Sequence, residues 1–122
     1  MGEGVKYDQG KARLGEMIID FKEPLEAVCS VWNFGATKYG KSNWKSVDNA
    51  IERYTNAMVR HLLAEEMEVV DPESEFLHAT HVAWNALARL YFIKMQMSLF
   101  ANGAPAQAVK DTTPGAINKV ER

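Results

Sequence analysis

Residues 72–100, PESEFLHATHVAWNALARLYFIKMQMSLF, constrain this chain more than any other stretch. After the opening proline the run holds no glycine and no further proline, and apolar residues recur at nearly every angle around a helical wheel. Asp71-Pro72 reads as an N-cap followed by proline at the first helical position, a strong start signal. A helix from there to about Phe100 would be roughly 43 Å long at ~1.5 Å per residue. A helix that is apolar on most of its surface needs partners on most of its surface, so the run calls for an all-α bundle. One narrow stripe interrupts it: at ~100° per residue, His78, His81, Asn85 and Arg89 fall within an arc of roughly 80°.

Two further helices are readable. One begins after residues 21–23, with Pro24 near its first turn, and runs through PLEAVCSVWNF until Gly35 ends it. The next starts at about Asp48, a reasonable N-cap, and continues through NAIERYTNAMVRHLLAEEM. Polar, glycine-containing loops occupy residues 1–14 and 35–46. Residues 101–122 lose the apolar periodicity, contain two prolines and read as a mobile tail. No strand and no internal repeat is evident. The expected division is one helical domain over 1–100 and a flexible tail over 101–122, and 122 residues suffice for one real core.

The second helix carries its own stripe. Tyr54, Ala57, His61, Glu65 and Glu68 lie within about 80° of arc, with Arg60 at its edge. Folding the last two helices as an antiparallel hairpin about Val69 and Val70 brings level those positions whose numbers sum to about 139. His61 then meets His78 while Met58 lies level with His81, so all three histidines of the chain gather at one place. Imidazoles and carboxylates in a partly dry cleft are costly unless hydrogen bonds, a metal ion or bound phosphate organise them. The competing interpretation is a buried Glu–His network at a helix contact.

Charge sharpens this picture. Residues 65–75 hold six acidic groups and no basic one, whereas seven of the fourteen Lys/Arg precede residue 46. Lys6, Lys11 and Arg13 in the first loop, and Lys38, Lys41 and Lys45 around the second, suit an anion; Tyr39 and Trp44, with Asn43 between, suit a base. Neither loop is a P-loop or a dinucleotide fingerprint. Cys29 is the single cysteine, within AVCSVW, and is expected to be a buried small hydrophobe in a reducing compartment. With no apolar leader and no run of ~18 uninterrupted apolar residues, a cytoplasmic protein without membrane or nucleic-acid partners is expected.

Three blocks in order, KYDQGKARL, FGATKYGKSNW and RHLLAEEMEVVDPESEFLHATHVAWNAL, resemble the phage and bacterial dATP/dGTP diphosphohydrolase family, a branch of the MazG-like all-α nucleoside triphosphate pyrophosphohydrolases. The resemblance runs from about Lys6 to Leu90. It implies a MazG-like helical bundle with two or three Mg²⁺ or Mn²⁺ ions and hydrolysis of a deoxynucleoside triphosphate to monophosphate and pyrophosphate. It also implies assembly as a homodimer or homotetramer, and a part in remodelling a phage's nucleotide pool in the host cytoplasm. Carried over by motif, Lys11 and Arg13 match the first loop. Lys38, Tyr39, Asn43 and Trp44 match the second, and Arg60, His61, Glu68, Asp71, Glu73, Ser74, His78, His81 and Asn85 match the hairpin. MazG proteins usually carry E-E-x-x-E and then E-x-x-D; here His78 and His81 stand in place of the second motif, and Met67 replaces the usual glycine before Glu68. Which of Glu65, Glu66 and Glu68 is a direct ligand stays open.

From these readings Glu65, Glu68, Asp71, Glu73, His78 and His81 are the candidate metal ligands, and Glu65, Glu68, His61 and His78 the candidate catalytic groups. Lys11, Arg13, Lys38, Arg60 and His61 would hold phosphates, and Tyr39, Asn43, Trp44 and Asn85 the base; the resemblance alone favours guanine, with adenine or 2-aminoadenine second. Divalent ions would neutralise the leaving pyrophosphate and activate water, and imidazole donors tilt the choice towards Mn²⁺. No Ser/His/Asp or Cys/His arrangement is evident, so no covalent intermediate is expected. An HD-type triphosphohydrolase would need a His-Asp dipeptide, which the chain lacks. The non-enzymatic alternative is a nucleotide-binding or helical oligomerisation module, with the Met-rich residues 93–100 as a contact surface.

Overall fold

The computed structural model describes residues 3–103, and these are all-helical. The order is α1 (Leu14–Asp20), α2 (Lys22–Tyr39), a 3₁₀ turn (Asn43–Ser46), α3 (Ala50–Ala64) and α4 (His78–Ala101). Among the described residues the only β pairing is an isolated antiparallel bridge between Val70 and Leu77. The helix α1, between the first loop and α2, was not anticipated; Phe21 alone separates it from α2, its amide bonded back to the Met17 carbonyl.

Four helix boundaries differ from expectation, each for a local reason. α3 stops at Ala64 rather than running on to Met67, because the amides of Glu66 and Met67 bond back only three residues, to Leu63 and Ala64, so Glu65 and Glu68 fall beyond the helix. Gly35 does not end α2, because an interior glycine costs a helix only about 1 kcal/mol. The stop comes at Gly40, whose φ of 101° excludes side-chain-bearing residues. Asp48 does not cap α3; Asn49 stands there with φ 54°, in the left-handed region asparagine tolerates, and its amide bonds Glu52. Nor does Asp71-Pro72 open α4. The Asp71 carboxylate takes the Ser74 amide and hydroxyl at 2.9 and 2.8 Å, which closes a tight turn rather than a helix. Glu75 at φ 68° sends the chain back, the Phe76 carbonyl accepts from the Asp71 amide, and the helix starts at His78. α4 is therefore 24 residues long, about 36 Å. The hairpin link is a structured turn spanning 65–77, not a short hinge.

The hairpin of α3 and α4 forms the centre. Ala50 and Ala88, each 1% exposed, let the helices approach closely, and Tyr54 completes the buried cluster. Trp44, Val47, Trp84 and Phe92 pack against it. Trp44 meets Trp84, Tyr91 and Phe92 edge-on at 5.5, 4.9 and 6.0 Å, and its carbonyl accepts the Tyr54 hydroxyl at 2.9 Å. Among the described residues no large side chain is fully buried. Leu62, Leu63, Leu87, Leu90 and Met97 stay exposed on the outer faces of the hairpin. Cys29 is exposed on α2 rather than buried, because nothing among the described residues covers that face. No helix of the described residues is long and apolar enough to cross a membrane. The tail expected over 101–122 lies, past residue 103, outside the described residues.

Candidate functional site

A cleft opens between α2, the 3₁₀ turn, α3 and α4, with the 71–76 turn at its mouth. Its volume of about 140 Å³ is close to that of an engineered cavity known to hold benzene, so it has room for one ring system. Lys38 and Tyr39 reach it from the end of α2, and Asn43 and Trp44 from the 3₁₀ turn. Arg60 and His61 contribute from α3, Asp71 and Glu73 from the turn, and His81 and Asn85 from α4. Trp84, which sequence reasoning did not single out, also lines the wall.

The three histidines do gather. His61 and His78 place their Nδ1 atoms 2.9 Å apart, so a single proton lies between the two nitrogens. His61 stacks on His81 with centroids 4.3 Å apart and planes 7° apart. Burial, more than any other influence, lowers the His61 pKa to about 4, with the neighbouring His81 and His78 acting in the same direction and Asp71 opposing. His81 is lowered too, by burial first, against the pull of Asp71. Burial alone would raise the Asp71 carboxyl, but its two hydrogen bonds from Ser74 and the nearby imidazoles outweigh that and hold it below its ordinary value. His61 and His81 are thus kept as bare bases and Asp71 as an anion.

These are the protonation states a metal ion requires of its ligands. Ligand atoms of His61, Asp71 and His78 lie within 4.8 Å of one another. The buried Nε2 of His78 has no hydrogen-bond partner, and its nearest carboxylate, Glu68, stands 3.9 Å away. An orphaned buried nitrogen costs about 1–3 kcal/mol unless something binds it. The donor set therefore fits a divalent ion.

The other candidates sit apart. Glu65 and Glu66 are exposed at the end of α3, and of the three glutamates there Glu68 is the one near an imidazole. Glu73 forms an ion pair with Lys38 across the cleft mouth; that hydrogen bond chiefly raises the Lys38 pKa. Phe76 packs edge-on against Phe34 at 5.9 Å, so two contacts tie the turn to α2. Lys11 and Arg13 lie on the exposed first loop, away from the cleft wall, with Arg13 paired to Glu16. His78 is buried beside His61 and is not part of the cleft wall. The structure also assembles a group that sequence reasoning did not see: Ser74, His81 and Asp71, with Ser74 Oγ 2.7 Å from His81 Nε2. The turn that builds it looks in sequence like a helix start, and that masked it.

The lowered His61 pKa has a measurable consequence for the metal-free chain. Between about pH 6.5 and pH 4 the unfolded chain binds a proton at residue 61 that the folded chain does not. Stability should therefore fall as pH drops through that window and level off, for this group, below it. Thermal melts in chelator across the window should show the decline, with a shallower slope in His61→Asn; a flat profile would count against neutral burial.

The model of the family described as dATP/dGTP diphosphohydrolase, N-terminal, matches residues 1–100. A dATP/dGTP diphosphohydrolase from Salmonella phage PMBT28 is 38% identical over 81 residues, which cover 66% of this chain and 26% of that protein. The match thus spans about a quarter of the length of the curated relative. No solved structure matches the chain. With nearly all of its described residues inside the family match, the chain belongs to the dATP/dGTP diphosphohydrolase N-terminal family.

Proposed function

We propose that this chain hydrolyses a purine deoxynucleoside triphosphate, dGTP in preference to dATP, to the monophosphate and pyrophosphate. The reaction would depend on a divalent ion and serve the remodelling of a phage nucleotide pool. The carrying observation is the cluster of His61 and Asp71, which line a ring-sized cleft, with His78, buried beside His61, whose second imidazole nitrogen is left unpartnered. The name of the phage relative supports the same activity and substrates. The helical hairpin with its imidazole and carboxylate groups is consistent with a MazG-like bundle.

In this reading the base enters the cleft among Tyr39, Asn43, Trp44 and Asn85, and the phosphates lie at its mouth. Lys38 and Arg60 would neutralise them, with Lys11 and Arg13 reaching in from the first loop. His61, Asp71 and His78 would hold the metal, with Glu68, Glu73, His81 and Glu65 available to further ions. Bound Mn²⁺ or Mg²⁺ supplies charge neutralisation and water activation, and two imidazoles in the donor set favour Mn²⁺. Incubation with each dNTP and NTP in Mg²⁺ or Mn²⁺, with products resolved chromatographically, tests the proposal. Monophosphate and pyrophosphate from dGTP support it, while nucleoside and triphosphate would point to a different hydrolase. The module reading draws on the short share of the relative that the match covers, and binding without turnover would favour it.

The exposed outer face of the hairpin supports a homodimer or homotetramer. Leu87, Leu90 and Met97 lie beside Ala79, Ala83 and Ala86 on the back of α4, an apolar face that a lone bundle leaves in water. Leu90→Glu should shift the assembly towards the 13.7 kDa monomer in light scattering; an unchanged mass would place the interface elsewhere.

A further inference from the structure

We infer that Ser74 is a positioning residue whose hydroxyl holds His81 as the Nε2–H tautomer, so that the nitrogen His81 has left to offer is an acceptor. The proton count stands on three distances around one hydroxyl oxygen and on an ionised carboxylate and a neutral imidazole beside it. Its consequence for the cleft rests on the reading of that cleft as a metal and triphosphate site.

Ser74 Oγ makes three polar contacts: the Asp71 carboxylate at 2.8 Å, His81 Nε2 at 2.7 Å and the Phe76 amide at 3.2 Å. A hydroxyl has one proton and two lone pairs. The Phe76 N–H donates into one lone pair. Ionised Asp71 can only accept, so at neutral pH the single hydroxyl proton has two possible destinations. Given to His81, it would leave a serine lone pair facing a carboxylate oxygen at 2.8 Å, acceptor against acceptor. Given to Asp71, it leaves the second lone pair for a proton on His81 Nε2, and all three contacts are satisfied. Asp71 cannot set the tautomer by itself, since its oxygen is 3.6 Å from Nε2, beyond hydrogen-bond length.

Two chemical conclusions follow. A neutral imidazole protonated at Nε2 keeps a bare Nδ1, which can take a metal ion or a proton but cannot donate to a phosphate oxygen. His81 lines the cleft and stacks on His61, so this confines its part to ligand or proton acceptor. Ser74 itself, with its proton on a carboxylate and both lone pairs engaged, is not an activated nucleophile, although a serine, a histidine and an aspartate meet here. Second-layer hydrogen bonds of this type fix the tautomer of metal-binding histidines, and their loss costs about 10–100-fold in metal affinity.

The test is long-range ¹H–¹⁵N correlation spectroscopy of the imidazoles in the full, metal-free chain at about pH 8, where histidine is neutral. Wild type and Ser74→Thr should show His81 protonated at Nε2 alone, and Ser74→Ala should show both tautomers. An Nδ1–H imidazole in the wild type overturns the inference without recourse to any variant. So does a Ser74→Ala spectrum identical to the wild type. Mn²⁺ titration followed by electron paramagnetic resonance should show affinity about 10–100-fold weaker in Ser74→Ala and within roughly threefold of wild type in Ser74→Thr. Equal loss in both variants would reduce Ser74 to a packing role and overturn the inference. A wild type that shows the Nε2–H tautomer yet binds no Mn²⁺ sustains the role of Ser74 and removes the metal reading of the cleft instead.

Discussion

In His78→Ala, Mn²⁺ should no longer raise the melting temperature, and the proposed triphosphate turnover should fall by on the order of 10²–10³-fold, the range seen when a preorganised electrostatic contact is lost. His78 is 3% exposed, its Nδ1 is engaged with His61, and its Nε2 has no protein partner. Of the clustered donors it is thus the one whose second nitrogen the fold leaves without a partner, and its removal deprives a metal ion most directly. An ion at a hundred times its dissociation constant adds about 2.7 kcal/mol to the folded state. For a domain of this size that is roughly 11–22 °C of melting temperature. The wild type should show that rise in differential scanning fluorimetry and the variant none. A variant that retains the full metal-induced shift would mean that the ion, if bound, is held by other residues.

Trp44→Ala is the second large effect, and it decides between two roles for one side chain. The sequence places Trp44 beside Tyr39 and Asn43 in a loop suited to a base. The structure gives it three edge-on aromatic partners and a Tyr54 hydroxyl on its carbonyl. Lys45 also sits over its ring at 5.8 Å from the centroid. Truncating a core tryptophan costs 3–5 kcal/mol, and a half-buried ring belongs near about 3. The expected drop is roughly 12–24 °C in melting temperature, measured without nucleotide. Trp44→Phe should recover most of the stability, because edge contacts with Trp84 and Tyr91 survive in a smaller ring. If Trp44→Ala melts like the wild type but binds nucleotide weakly, the ring serves the base and not the core.

Periodicity along a helix is a local property, and the sequence carries it in full. The polar stripes of residues 54–61 and 78–89 need only a rise and an angle per residue, and a hairpin register then follows by counting; the same rule carried the first stripe on to Glu65 and Glu68, past the true end of α3. That is why the meeting of His61 with His78 was legible without coordinates, as was the all-helical class. The alanines at 50, 57 and 88 that let the helices close were visible as letters, but their burial was not. Helix ends were less legible, because several signals compete for them: Gly35 and Gly40 both offer a stop, and Asp71-Pro72 is equally good as a cap or as a turn.

What only the tertiary structure decided are the relations that depend on where a turn points. The Asp71–Ser74 turn swings its carboxylate under His81 and ties Glu73 to Lys38, contacts that no spacing rule connects. Cys29 sits in an apolar run and is nevertheless exposed, since burial depends on what packs against a face and not on the face itself. The tautomer of His81 belongs to the same class: it follows from three distances around one hydroxyl oxygen. Composition and period thus determined which residues could share a helix face. The directions of a few hydrogen bonds in one turn determined which atoms those residues have left for chemistry.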